Sequence, residues 1–112
     1  MIMVYIYLNK KNDVYSFKVN DHGNDIVCAA VSTLALNTVN SIEAFTAEKF
    51  TCNYEEEDGG FLFFESPTLK NNKKHGPVAI LLNSFFLGIQ GIAEEYPDDI
   101  ILTVDDKEVN PC

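Results

Sequence analysis

The chain has 112 residues, 46% hydrophobic and 22% charged, enough for one compact domain over 1–112 and too few for two. It carries 17 acidic residues against 8 basic ones, all lysine, for a formal charge of -9. That balance excludes a nucleic-acid backbone as the direct partner, because phosphate recognition draws on clustered cations and guanidinium forks, and it favours a basic protein instead.

In chain order, the first residues alternate like a strand and lack a basic leader with a small-residue cleavage site, so no export signal is expected and the protein is placed in the cytoplasm. Residues 3–8 and 13–19 share the two-residue period and are separated by the polar turn Asn9-Lys10-Lys11-Asn12, which predicts a hairpin. Apolar positions at Val27, Val31, Leu34, Thr38, Ile42 and Phe45 then step by three and four, the signature of one helix face, with Asn24 or Asp25 available as its cap. Residues 50–54 and 61–65 flank an acidic run closed by Asp58-Gly59, a second hairpin.

Ser66-Pro67 and a polar stretch end that hairpin. Pro77 then suits the first turn of a helix running to Tyr96, with Val78, Leu81, Leu82, Phe85, Ile89 and Ile92 as its core stripe. Phe86 and Leu87 add apolar surface on other sides, more than one small sheet covers, which predicts a homodimer. The apolar stretches 26–36 and 78–92 are broken by polar residues, so no transmembrane helix and no membrane partner are expected. Residues 100–104 supply a last strand. The order ββαββαβ predicts an α+β sandwich of two layers, a mainly antiparallel sheet with two helices on one face.

The chemistry concentrates between the second strand and the first helix. Cys28 falls within the first helical turn, where unpaired backbone N–H groups and the helix dipole favour a thiolate. His22, six residues upstream, is the candidate base, and Asp25 can either orient that imidazole or simply cap the helix. Ser32 lies one turn beyond Cys28 on the same side, where its hydroxyl can support the thiol, contact substrate or merely pack. A cysteine followed by Ala29, Ala30 and Val31 also fits a packing role.

Elsewhere the signals are weaker. His75 among lysines reads as exposed loop, Glu55 to Asp58 as a solvated turn without calcium-ligand spacing, and Cys52 as a packed strand residue. Three odd, widely spaced cysteines support neither a disulfide framework nor a metal site, and no cofactor is expected.

Gly23-x-Asp25-Ile26-Val27-Cys28-Ala29-Ala30-Val31-Ser32, following a His at the end of a strand, resembles the signature of the ribosomal-processing cysteine protease family Prp. The resemblance extends through Asn40-Ser41-Ile42-Glu43, the Gly59-Gly60 hairpin and Ser84-Phe85-Phe86-Leu87-Gly88-Ile89. It implies a homodimeric thiol endopeptidase that removes the N-terminal extension of large-subunit ribosomal protein twenty-seven, cutting after a Phe-Phe pair and before Ala. It also implies Cys28 as nucleophile and His22 as catalytic His, with Asp25 and Ser32 in supporting roles. His22 and Cys28 stand six positions apart where the family pattern has about twelve, Asp21 replaces a glycine, and the intervening glycine-containing loop is absent. A non-catalytic, dimeric ribosome-assembly protein that holds a basic partner on its acidic surface is the competing reading.

Overall fold

The computed structural model describes residues 1–20, 25–55 and 60–105. Its elements are β1 (Ile2–Leu8), β2 (Val14–Asn20), α1 (Asp25–Phe45), β3 (Thr51–Glu55), β4 (Phe61–Glu65), a short α2 (Pro67–Lys70), α3 (Gly76–Glu95) and β5 (Ile100–Asp105). The strands form one sheet in the order β3-β4-β2-β1-β5.

The β1–β2 hairpin turns at Asn12, whose φ of 63° is the left-handed conformation that asparagine tolerates. Asn9 is buried, donates to the Leu69 carbonyl at 2.9 Å, and accepts from the N–H groups of Lys11 and Asp13. A bulge between Tyr7 and Leu8 adjusts the register there.

Both long helices are crossovers. β2 and β3 run the same way, as do β4 and β5, and the chain between parallel strands must return along a face of the sheet. The expected two-layer sandwich is present, with a mixed sheet: β5 pairs with β1 in parallel and the other described pairings are antiparallel.

On the helix face, Ile2, Val4 and Ile6 of β1, Phe17 of β2 and Phe64 of β4 meet Val27, Val31, Ala35 and Ile42 of α1 and Val78, Leu82, Phe85 and Ile89 of α3. Phe17 anchors this core, with its ring centroid 4.2 Å from that of Phe85 and 5.5 Å from that of Phe64. Burying each such ring contributes about 1.5–3 kcal/mol.

Four expectations need correction. Leu34 is half-buried and Phe45 is exposed, while Ala35 and Val39 take core positions, because the helix turns by 3.6 residues and carries Leu34 round to the seam with α3. Leu81 and Ile92 are likewise half-buried at the border of the α3 stripe. The stretch after Ser66 is helical: the Ser66 hydroxyl accepts from Leu69 N–H, Pro67 occupies the first turn, and Leu69 is buried beneath it. Finally, α1 and α3 are each long and apolar enough to cross a membrane by length and composition, a test that a core helix also passes, because their scattered Asn, Ser, Thr and Gln interrupt the apolar pattern without lowering it far. Their buried stripes face the sheet.

Candidate active site

The N-terminus of α1 is fixed by its own pattern. Val27 and Val31 are buried under it, so the residues between and beside them are held at set angles around the axis. Asp25 opens the helix as its first-turn acid and is exposed. Cys28 is half-buried and packs against the edge of the core, while Ile26, Ala29 and Ala30 face outward. Ser32 follows one turn later, half-buried. The thiol therefore sits within the first helical turn, where backbone N–H groups lack intrahelical acceptors and the helix dipole stabilises an anion.

Around it the sheet presents a defined end. β2 finishes at Asn20, which pairs with Met3 of β1 and Phe61 of β4, and β3 finishes at Glu55 opposite Phe61. On the side of α1 turned away from Cys28, Ala29, Ala30, Thr33, Leu34 and Asn37, with Ile92 of α3, line an open hollow of about 530 Å³. His22, the sequence-predicted base, lies outside the described residues, as do Asp21, Gly23 and the junction at which the spacing departs from the family pattern.

The other candidates fall elsewhere. Cys52 lies on β3, close enough to Glu43 near the end of α1 to feel its charge; Cys28 and Glu43 are about 22 Å apart at ~1.5 Å per helical residue. Burial pushes the Cys52 thiol up and the Glu43 carboxylate adds to this, so it is a poor nucleophile at neutral pH. His75 caps α3 instead of forming a plain exposed loop, its Nδ1 accepting from Val78 N–H at 3.5 Å. Among the described residues, no three His, Cys, Asp or Glu side chains are grouped to hold a metal ion.

Sequence reasoning passed over two polar clusters that fix the scaffold. Glu48, on the link after α1, accepts from the hydroxyls of Ser66 and Thr68 and from Thr68 N–H, the latter two at 2.8 and 3.2 Å. Asn83 of α3 accepts from Val14 N–H at 3.0 Å and donates to Asp13 at 3.1 Å, tying α3 to the hairpin. An asparagine inside an otherwise apolar helix was the visible signal for the second.

Residues 1–101 match the family model described as cysteine protease Prp. A ribosomal processing cysteine protease Prp of Staphylococcus aureus is 31% identical over 108 residues, covering 91% of this chain and 97% of the relative. A crystal structure from Streptococcus mutans superposes with a TM-score of 0.84 at 30% identity, covering 95% of each chain. An essential ribosomal processing protease Prp of S. aureus, crystallised with a covalently linked product peptide, gives 0.80 at 29% identity, over 94% of this chain and all of that one.

Proposed function

The chain belongs to the cysteine protease family Prp, and from that premise we propose that Cys28 is the nucleophile of a ribosomal-processing endopeptidase that removes the N-terminal extension of large-subunit ribosomal protein twenty-seven. Of the two readings open from the sequence, protease and binding protein, the family decides for the protease. The observation that carries the assignment is the position of Cys28 in the first turn of α1, half-buried at the end of the sheet where β2 stops.

In the proposed reaction His22 takes the Cys28 proton, and the thiolate attacks the carbonyl carbon after the aromatic pair. The tetrahedral oxyanion is held by backbone N–H groups of the helix start. The C–N bond breaks as the imidazolium returns its proton to the leaving amine, which leaves a thioester on Cys28. Water, deprotonated by His22, then hydrolyses that thioester and regenerates the thiol. Asp25 orients and stabilises the imidazolium, and Ser32 supports the thiol side of the same helix face.

A homodimer in the cytoplasm completes the proposal. It is supported by helix surfaces without charge: α1 has no charged residue between Asp25 and Glu43, and α3 none from Gly76 to Ala93, in a chain of 22% charged residues. Ile80 and Leu87 are each 70% exposed on α3. The test is incubation with the purified precursor of the ribosomal protein and mass analysis of the product. A new N-terminus at the Ala after Phe-Phe is expected; an intact precursor or cleavage at scattered positions contradicts the assignment.

A further inference from the structure

The two long helices cover one face of the sheet and leave the other open. Ile2, Val4 and Ile6 of β1, Phe17 of β2 and Leu62 and Phe64 of β4 point to the helix side, so Tyr7, Ser16, Phe63 and Glu65 point to the outer one. In one cross-strand row of that outer face Ser16 stands between Tyr7 of β1 and Glu65 of β4. A serine between two longer side chains leaves a notch of about 260 Å³, at the end of the sheet where β1 and β4 finish and β2 begins.

Neighbouring elements fix its walls. The bulge in the β1–β2 register sets Tyr15 and Ser16 together against Tyr7, which brings the Tyr15 ring beside that of Tyr7, centroids 6.3 Å apart. Phe63 of β4 is the third aromatic wall. Ser16 is the buried floor, its hydroxyl donating to the Phe64 carbonyl at 2.7 Å. At the rim α2 supplies Lys70, whose ammonium is 3.3 Å from a Glu65 oxygen. α2 is held in turn: Asn9 donates to the Leu69 carbonyl, and the Glu48 carboxylate accepts from the hydroxyls of Ser66 and Thr68. Walls set before a ligand arrives lower the ordering cost of binding it.

These groups select among ligands. A simple cation is opposed by the Lys70 ammonium and a simple anion by the Glu65 carboxylate. A ligand with both charges side by side satisfies both, its carboxylate pairing with Lys70 and its ammonium with Glu65. The Lys70–Glu65 pair is open enough to receive it, with 49% and 24% of those side chains exposed. Three rings then offer faces and edges to an aromatic group, and the volume, below that of a drug-sized pocket, suits a ligand the size of one amino acid.

We propose that this notch binds a free aromatic α-amino acid, with Lys70 and Glu65 reading its carboxylate and ammonium and with Tyr7, Tyr15 and Phe63 holding its ring. The notch lies at the opposite end of β2 from the helix start that carries Cys28, so neither its ligand nor its test depends on the assignment of the nucleophile.

The test is a titration of the isotope-labelled protein with L-phenylalanine, followed by amide NMR. Two comparison compounds are L-alanine, which lacks the ring, and N-acetyl-L-phenylalanine amide, which lacks both charges. Phenylalanine is expected to shift the amides of Tyr7, Ser16, Phe63, Glu65 and Lys70 with a Kd of about 1 mM, and the comparison compounds to bind at least ~10-fold more weakly. Lys70→Met and Glu65→Gln, whose spectra also show whether they fold, should each weaken phenylalanine about tenfold. Absence of shifts at about 20 mM phenylalanine overturns the proposal, as do shifts centred outside the notch, equal binding of either comparison compound, or wild-type affinity in either folded variant. Should one variant fail to fold, the other decides by the same criterion.

Discussion

Gly88 of α3 lies so close to Leu34 of α1 that a Cβ added at position 88 would stand 2.7 Å from Leu34 Cδ2. The contact sits six residues, about 9 Å, along α1 from Cys28, so the helix that carries the thiol is seated against α3 through the Leu34 side chain, which lies directly on the Gly88 backbone. Gly88→Val is expected to push the helices apart and cost about 1–3 kcal/mol. Urea unfolding should show a lower midpoint with an unchanged slope, whereas an unaltered midpoint means that Leu34 moves aside freely.

Glu48 sets an acid limit on stability. Burial works against its carboxylate, but hydrogen bonds from Ser66 and Thr68, with the nearby His75 charge, outweigh it and hold the group below its ordinary value of 4.5. A depressed carboxylate stabilises the fold above that ordinary value, and the contribution is lost as pH falls through the lower, folded one. Glu48→Gln should therefore cost about 1 kcal/mol at pH 7 and less at pH 3. Thermal unfolding of both proteins across that range checks it; an equal deficit at both pH values contradicts the linkage.

The two thiols should separate in reactivity. At pH 7 iodoacetamide is expected to modify Cys28 well before Cys52, whose thiol is held protonated by burial and by Glu43. Peptide mapping by mass spectrometry reads the order, and simultaneous labelling of the two would remove the support that helix position gives to Cys28.

Dimerisation through the uncharged helix face predicts that Leu87→Glu, which places a carboxylate at an exposed apolar position, yields a monomer with intact secondary structure. Light scattering on the wild type and the variant measures this directly. A variant that stays dimeric would put the interface elsewhere.

Much of this fold could be read from local pattern. The 3.6-residue period announced both long helices, the alternation announced the strands, and Asn12 and Asp58-Gly59 announced turns; the residues between β3 and β4 fall partly outside the described structure. What was not legible depends on partners distant in sequence. Ser66-Pro67 reads equally as a strand terminator or a helix start, and burial of Leu69 with the Glu48 clamp selects the helix. Leu34 outweighs Ala35 in hydrophobicity, yet the seam with Gly88 sends the larger residue outward from the core. The direction of β5 follows from its crossover and not from its residues. For the site, the start of α1 at Asp25 and the place of Cys28 in its first turn were visible in sequence, whereas the notch that Tyr7, Ser16 and Glu65 form on the outer face required the strand order.

The central claim concerns one sulfur atom, and replacing it is the most direct measurement. Wild-type and Cys28→Ala proteins, shown to unfold alike, are incubated with the ribosomal precursor and the products are weighed by mass spectrometry. The expected result is a single cut after Phe-Phe by the wild type and an untouched precursor with Cys28→Ala. Cleavage by Cys28→Ala at a rate near that of the wild type would contradict the account.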